Sequence, residues 1–176
     1  MKSHSTFKMT TKKQILVAVM FFMGVAIGAA QSIDEVLKKY NTQSVPYISV
    51  QELKMNYQDY IILDTRKLEE FEVSHLPNAI WAGESLKDWK GLANTANKNK
   101  PVVVYCTVGV RSENYGEKLQ EAGFSDVKNL YGSIFAWKDA GYEVVDQQGK
   151  PTENVHTYSK AWAKYLKTGN KLTGKN

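Results

Sequence analysis

The chain has 176 residues, 43% of them hydrophobic and 23% charged, with 23 basic against 18 acidic side chains, a net charge of +5 and a pI near 9.1. That length and composition fit one globular domain with extensions, and exclude a repeat array or a low-complexity chain. Four of the basic residues, Lys2, Lys8, Lys12 and Lys13, fall in the first 30, which leaves 19 basic against 18 acidic beyond them, so the high pI is no nucleic-acid footprint and no nucleic-acid partner is expected.

After those lysines, residues 15–30, "ILVAVMFFMGVAIGAA", carry no charge, and Gly28 and Ala30 are small residues at signal-peptidase spacing. The pattern predicts a signal peptide over 1–30, cleaved before Gln31, and export to the periplasm. An uncleaved membrane anchor is the alternative, although the run is slightly short of the ~20 apolar residues a span needs.

Ser32–Tyr40 reads as a short helix with Ile33, Val36 and Leu37 on one side, forming an extension over 31–44 before the break at Pro46. Tyr47–Ser49 reads as a short strand, and Ser49 with Glu52 has capping-box spacing for a following helix. Tyr60–Leu63 is strand-like. In "DTRKLEEFEVSHLPNA", Leu68, Phe71 and His75 fall at helical spacing and Pro77 is the stop. That spacing puts His75 on the apolar face as a satisfied, partly buried histidine and leaves Glu70 a solvated or structural carboxylate. Asp64 and Arg66, at a strand end, read as a local ion pair that fixes the loop rather than as groups touching substrate.

Ala79–Trp81 is a weak strand, Leu86–Leu92 a plausible helix and residues 93–100 a polar loop. Val102–Tyr105 is the clearest strand, apolar at consecutive positions as when both sheet faces are covered. Ser112–Ala122 is the clearest helix, with Tyr115, Leu119 and Ala122 on one face and Gly123 at its end. Val127–Leu130 is a last core strand, and Ser133–Ala140 a final core helix with Trp137 inward. Strands alternating with helices predict an α/β domain over 45–147 with a mainly parallel central sheet flanked by helices. In the tail, 148–176, Tyr158, Ala161, Trp162, Tyr165 and Leu166 are at helical spacing opposite lysines. This predicts a basic amphipathic helix that packs on the domain or contacts an anionic membrane surface.

The chain has one cysteine, Cys106, immediately after the clearest strand. An exported protein with a single cysteine cannot form an internal disulfide, so the thiol is either intermolecular or free and reactive. Ligands of parallel sheets bind beyond the carboxyl ends of the strands, where Cys106 sits. The loop "CTVGVRS" then runs into a helix N-terminus, whose unpaired N–H groups and dipole favour an anion. Gly109 permits an inward-pointing nest of amides over Thr107, Val108, Gly109 and Val110, and Arg111 adds a permanent positive charge. These features favour a thiolate, lowering a thiol's usual ~8.5 toward ~7 or below. A buried structural cysteine is the alternative.

The loop resembles C-x-x-G-x-R-S, the active-site loop of rhodanese-type sulfurtransferases. Residues 62–79, "ILDTRKLEEFEVSHLPNA", are similar to the upstream signature of that family, and residues 130–144, "LYGSIFAWKDAGYEV", to its downstream segment. The resemblance covers roughly Val45 to Val145. It implies a three-layer rhodanese-like domain. It also implies a persulfide on Cys106, loaded from a small sulfane-sulfur donor and unloaded to a thiol or cyanide acceptor, with the amides of 107–111 holding the charge and no metal or cofactor required. Asp64, Arg66 and Ser112 would support the site.

Ser74, Asn78 and Ser133 stand where the family usually has glycine; asparagine tolerates positive φ, so Asn78 should be backbone-neutral. Thr107, Val108 and Val110 are neutral, whereas thiosulfate-preferring relatives tend to have more basic loops. Two other functions suit the same fold: a non-catalytic binding module, and a phosphatase or arsenate reductase. The latter use five residues between cysteine and arginine, where this chain has four.

Overall fold

A computed structural model describes residues 32–89 and 98–174. The segment read as a leader, 1–30, lies outside the described residues, as do 90–97.

Five strands form one sheet, in the order β1-β5-β4-β2-β3, with every neighbouring pair parallel: β1 (Tyr47–Ile48), β2 (Ile61–Asp64), β3 (Ile80–Trp81), β4 (Val102–Tyr105) and β5 (Val127–Leu130). The expected parallel α/β architecture is present. β4 lies at the centre, and all four of its residues are fully buried. Successive side chains point to opposite faces. Val103 and Tyr105 therefore enter one core and Val102 and Val104 the other. Each such aliphatic side chain contributes about 1.5–3 kcal/mol on burial, which is why the strand reads as an unbroken apolar run.

The first core is covered by α1 (Ile33–Tyr40), α2 (Val50–Met55) and α5 (Ser133–Asp139), through Val36, Leu53, Ile134, Phe135 and Trp137. The second is covered by α4 (Val110–Glu121), through Tyr115 and Leu119. Ser32 caps α1 in a full capping box with Glu35, and Ser49 accepts the Glu52 N–H at the start of α2. Gly116 sits inside α4, where a methyl group would come 2.9 Å from Val45 Cγ2. Glycine to alanine normally favours a helix by about 1 kcal/mol. Overpacking here costs about 1–3 kcal/mol, so Gly116→Ala should lower the urea midpoint rather than raise it.

Three expected elements differ. Helix α3 (Leu68–Val73) is shorter than the spacing implied. Ser74 ends it in extended backbone, and His75 lies beyond it, bridged to Val145. The apolar face is not turned inward: Leu68 is exposed, Phe71 stacks on His75 at 3.9 Å, and Glu70 is the residue of α3 that is buried. Residues 86–88 form a turn in place of the start of a helix over Leu86–Leu92, and 90–92 are outside the described residues.

Among the described residues the tail forms no amphipathic helix. Pro151–Thr152 (β7) pairs antiparallel with Val144–Val145 (β6). Asn154–His156 (β8) then pairs in parallel with Asn170–Leu172 (β9). A strap joins them, with a single 3-10 turn at Ala163–Tyr165. Val155, Tyr165 and Leu166 enter the first core, and the lysine-bearing helical face expected of the tail is not formed among the described residues. Tyr158 has a φ of 63°, which interrupts any helix there.

Candidate active site

β4 delivers Cys106 to the carboxyl edge of the sheet, and α4 begins four residues later at Val110. Gly109 makes the turn possible: its φ is 115°, and a Cβ would stand 3.1 Å from Leu37 Cδ2. In that conformation the Gly109 N–H points at Cys106 Sγ from 3.2 Å, and the Ser112 hydroxyl lies 3.5 Å from the same sulfur. The Gly109 carbonyl, on the other side of the residue, accepts from Asn129 Nδ2 at 2.8 Å and Asn41 Nδ2 at 2.9 Å. Two asparagines, one from β5 and one from the end of α1, thus hold the loop in the pose that aims an amide at the thiol.

Ser133 and Asn78 explain two departures from glycine. Asn78 adopts a φ of 58°, as expected of an asparagine in a glycine position. Ser133 also has positive φ, 51°, at the start of α5. Its hydroxyl accepts the Cys106 N–H at 3.1 Å and donates to the Leu130 carbonyl, so the side chain offsets its backbone strain by fixing the cysteine peptide. Ser74 is extended and needs no glycine.

Arg111 is held more tightly than a free anion-binding side chain. Its Nη1 and Nη2 donate to the two oxygens of Glu70, each at 2.8 Å, and Nη2 also donates to Thr107 Oγ1 at 2.8 Å. Glu84 reaches Nη1 at 3.5 Å from the exposed side. Thr107 Oγ1 donates in turn to Glu70 at 3.1 Å, so the hydroxyl belongs to this clamp. Burial pushes the Glu70 carboxyl up, but Arg111, with Arg66 beyond it, holds it below the usual carboxylate range. His156 packs behind, its Nδ1 4.0 Å from Glu70 and accepting the Tyr158 N–H at 3.1 Å. Burial lowers this histidine, which favours the neutral ring that acceptance requires.

Asp64 and Arg66 do not reach the sulfur. Both are fully buried and pair through Nε–Oδ1 at 2.9 Å and Nη2–Oδ2 at 2.6 Å, while Arg66 also donates to the Ser74 carbonyl. They brace the turn after β2, as the local ion-pair reading expected.

Cys106 is buried, 1% exposed, yet it lines a pocket of about 200 Å³ with Val108, Val110, Arg111, Tyr158 and Trp162. A larger cleft of about 540 Å³ beside α2 and Pro77 contains no thiol and lies apart from this loop. Burial alone would push the Cys106 thiol up. Arg111, the hydroxyl and N–H of Ser112 and the N–H of Gly109 outweigh it and hold the thiol below its ordinary value. The rate of iodoacetamide alkylation should therefore reach half its plateau at a lower pH than for a free cysteine, which titrates near ~8.5; a midpoint at or above that of the free thiol would mean that burial prevails.

The structure thus brings together Cys106, Thr107, Val108, Gly109, Val110, Arg111 and Ser112. Glu70, Asn41, Asn129, Ser133, His156, Tyr158 and Trp162 join them without having been singled out for the site by sequence. Glu70 had one available signal, an acid in a short helix that follows the strand end opposite the loop. The two aromatics had none, because their spacing reads equally well as a helix face.

Fold and site together define a parallel α/β domain built around an ionisable thiol at the carboxyl edge of its sheet. The family model for the rhodanese-like domain matches residues 49–140, and the chain belongs to that family. The thiosulfate sulfurtransferase GlpE of Coxiella burnetii is 35% identical over 81 residues, covering 46% of this chain and 74% of the relative. A tRNA uridine(34) hydroxylase of Aster yellows witches'-broom phytoplasma is 34% identical over 99 residues, 52% of this chain but only 32% of that protein. Among solved structures, a rhodanese-related protein from Thermoplasma volcanium superposes with a TM-score of 0.51 at 28% identity, over 57% of this chain and 97% of that one.

Proposed function

We propose that the protein is a sulfurtransferase that carries a sulfane sulfur as a persulfide on Cys106, taking it from a small donor and passing it to a thiol or cyanide. One observation carries this reading: a lone thiol held toward its ionised form by an amide, a hydroxyl and a guanidinium at the wall of a pocket. The thiolate attacks the donor's outer sulfur, the donor's S–S bond breaks, and the leaving group departs with the electron pair. The same amide and hydroxyl then face the anionic persulfide. The kinship with proteins named thiosulfate sulfurtransferase supports the reaction class.

The test is intact mass after incubation with a sulfane donor: a gain of about 32 Da that a reductant removes is expected on the wild type. Absence of that species, with the thiol still alkylatable, would end the proposal. The basic and apolar pattern of residues 1–30 supports export of the mature chain to the periplasm. N-terminal sequencing of protein recovered from a cell envelope fraction should begin at Gln31, whereas an intact leader would point to an anchor.

A further inference from the structure

The pocket wall facing the sulfur comes from the tail, beyond the stretch that matches the family. Tyr158 lays its ring on the Arg111 guanidinium, 4.7 Å from centroid to Cζ, and Trp162 lines the same pocket. The strap that carries them is anchored at both ends. Glu153 pairs with Lys138 at 2.8 Å, and the Lys167 and Thr168 N–H groups donate to Asp139 at 2.9 and 2.8 Å. Between the anchors, the Tyr158 backbone is tied to His156 and Leu166 is buried in the core.

This wall changes what the pocket can hold. The one cation lining it, Arg111, spends its donors on Glu70 and Thr107, is flanked by a second carboxylate at Glu84, and is roofed by an aromatic ring. Two carboxylates thus offset part of its charge before any donor arrives. Apart from Cys106 and Thr107, whose hydroxyl is engaged in the Glu70 clamp, the remaining lining is Val108, Val110 and two aromatic rings. Such a chamber disfavours a second negative charge and favours a flat apolar body that packs on the rings.

Resting on the reading of Cys106 as a sulfur carrier, we infer that Tyr158 and Trp162 are specificity-determining residues that select singly charged sulfane donors with an apolar or aromatic body over doubly charged thiosulfate. Benzenethiosulfonate and thiosulfate make a matched pair of probes, since both present a sulfane sulfur on a sulfonyl sulfur. In each, the Cys106 thiolate bonds to the sulfane sulfur, the S–S bond to the sulfonyl sulfur breaks, and benzenesulfinate or sulfite leaves with the pair. The cysteine is left as a persulfide anion, so charge and electrons balance.

The experiment measures kcat/KM for each donor with cyanide as the common acceptor, on the wild type and on Tyr158→Asn, Tyr158→Phe and Trp162→Ala. Asparagine suits the positive φ of residue 158 and removes the ring. The wild type should prefer benzenethiosulfonate by about tenfold or more, and loss of either ring should cut that ratio by about tenfold, the scale of a lost aromatic contact. Tyr158→Phe should keep the ratio. Should Tyr158→Asn fail to fold, Trp162→Ala decides alone. A wild-type preference for thiosulfate, or a ratio unchanged in the ring-deleted variants while both donors still load Cys106, overturns this inference and leaves the sulfur carrier intact. No loading from either donor, or loading of a Cys106→Ala protein, overturns the carrier itself.

Discussion

Cys106→Ser is expected to fold and to transfer no sulfur. Serine fits the same space, can face the Gly109 amide and keeps the neighbourhood of Ser112 and Asn129. Its hydroxyl is not ionised near neutrality, however, and it offers no sulfur to form an S–S bond. Loss of the sole nucleophile should lower kcat/KM by about ten-thousand-fold or more, to the rate of donor and acceptor in buffer. A thermal melt close to that of the wild type, alongside the lost activity, would show that the defect is chemical. Retention of even a tenth of wild-type turnover would remove Cys106 from the mechanism, because the chain holds no second cysteine to take its place.

Arg111→Met should show the other large effect, and its pH dependence separates two roles. In the wild type, Glu70 is fully buried and Arg111 holds its carboxyl below the usual range. The stability this pairing contributes is therefore present above the ordinary carboxylate pKa and lost as pH falls through the lowered one. Without Arg111 the sign inverts. Burial, the strongest influence on Glu70, is then opposed mainly by the more distant Arg66, one backbone N–H and the Thr107 hydroxyl. A stranded carboxylate costs about 3–5 kcal/mol near neutrality, and the deficit should shrink as acid protonates it.

Urea unfolding at several pH values should show the gap from the wild type narrowing toward acid; a constant gap would mean that the methionine disturbs packing instead. Arg111 also opposes burial at the thiol, so turnover near neutrality should fall by about a hundredfold, as when one charge-stabilising donor is lost. The double variant Glu70→Gln/Arg111→Met should regain most of the stability and none of the turnover. That outcome would separate the structural use of the guanidinium from its electrostatic use.

The sheet and the loop were legible in the sequence because each obeys a local rule. Val102–Tyr105 is apolar without a break since both of its faces are covered, and Gly109 and Arg111 sit where a strand-to-helix turn has to place them. Helix α3 turns inward the face opposite to the one its spacing predicts. Leu68 and Phe71 have the right spacing, but six residues at the rim of a sheet have little core to cover, and the paired arginine draws Glu70 inward instead. The tail departs from its helical spacing for a related reason. Its aromatics and aliphatics are spaced like a stripe, yet they go to separate distant partners: Tyr158 to Arg111, Tyr165 and Leu166 to the first core, and the flanking strands to one another. Local periodicity yields where long-range contacts are this specific.

The roof over the sulfur has a consequence for reading this family by motif. The match to the family stops at residue 140, while Tyr158 and Trp162 come from farther along the chain. Substitutions in that tail reshape the pocket beside Cys106 without altering a letter of the loop. On the inference that these rings select the donor, two proteins with identical C-x-x-G-x-R-S signatures would differ in diet, and a forecast of substrate range would begin downstream of the signature itself.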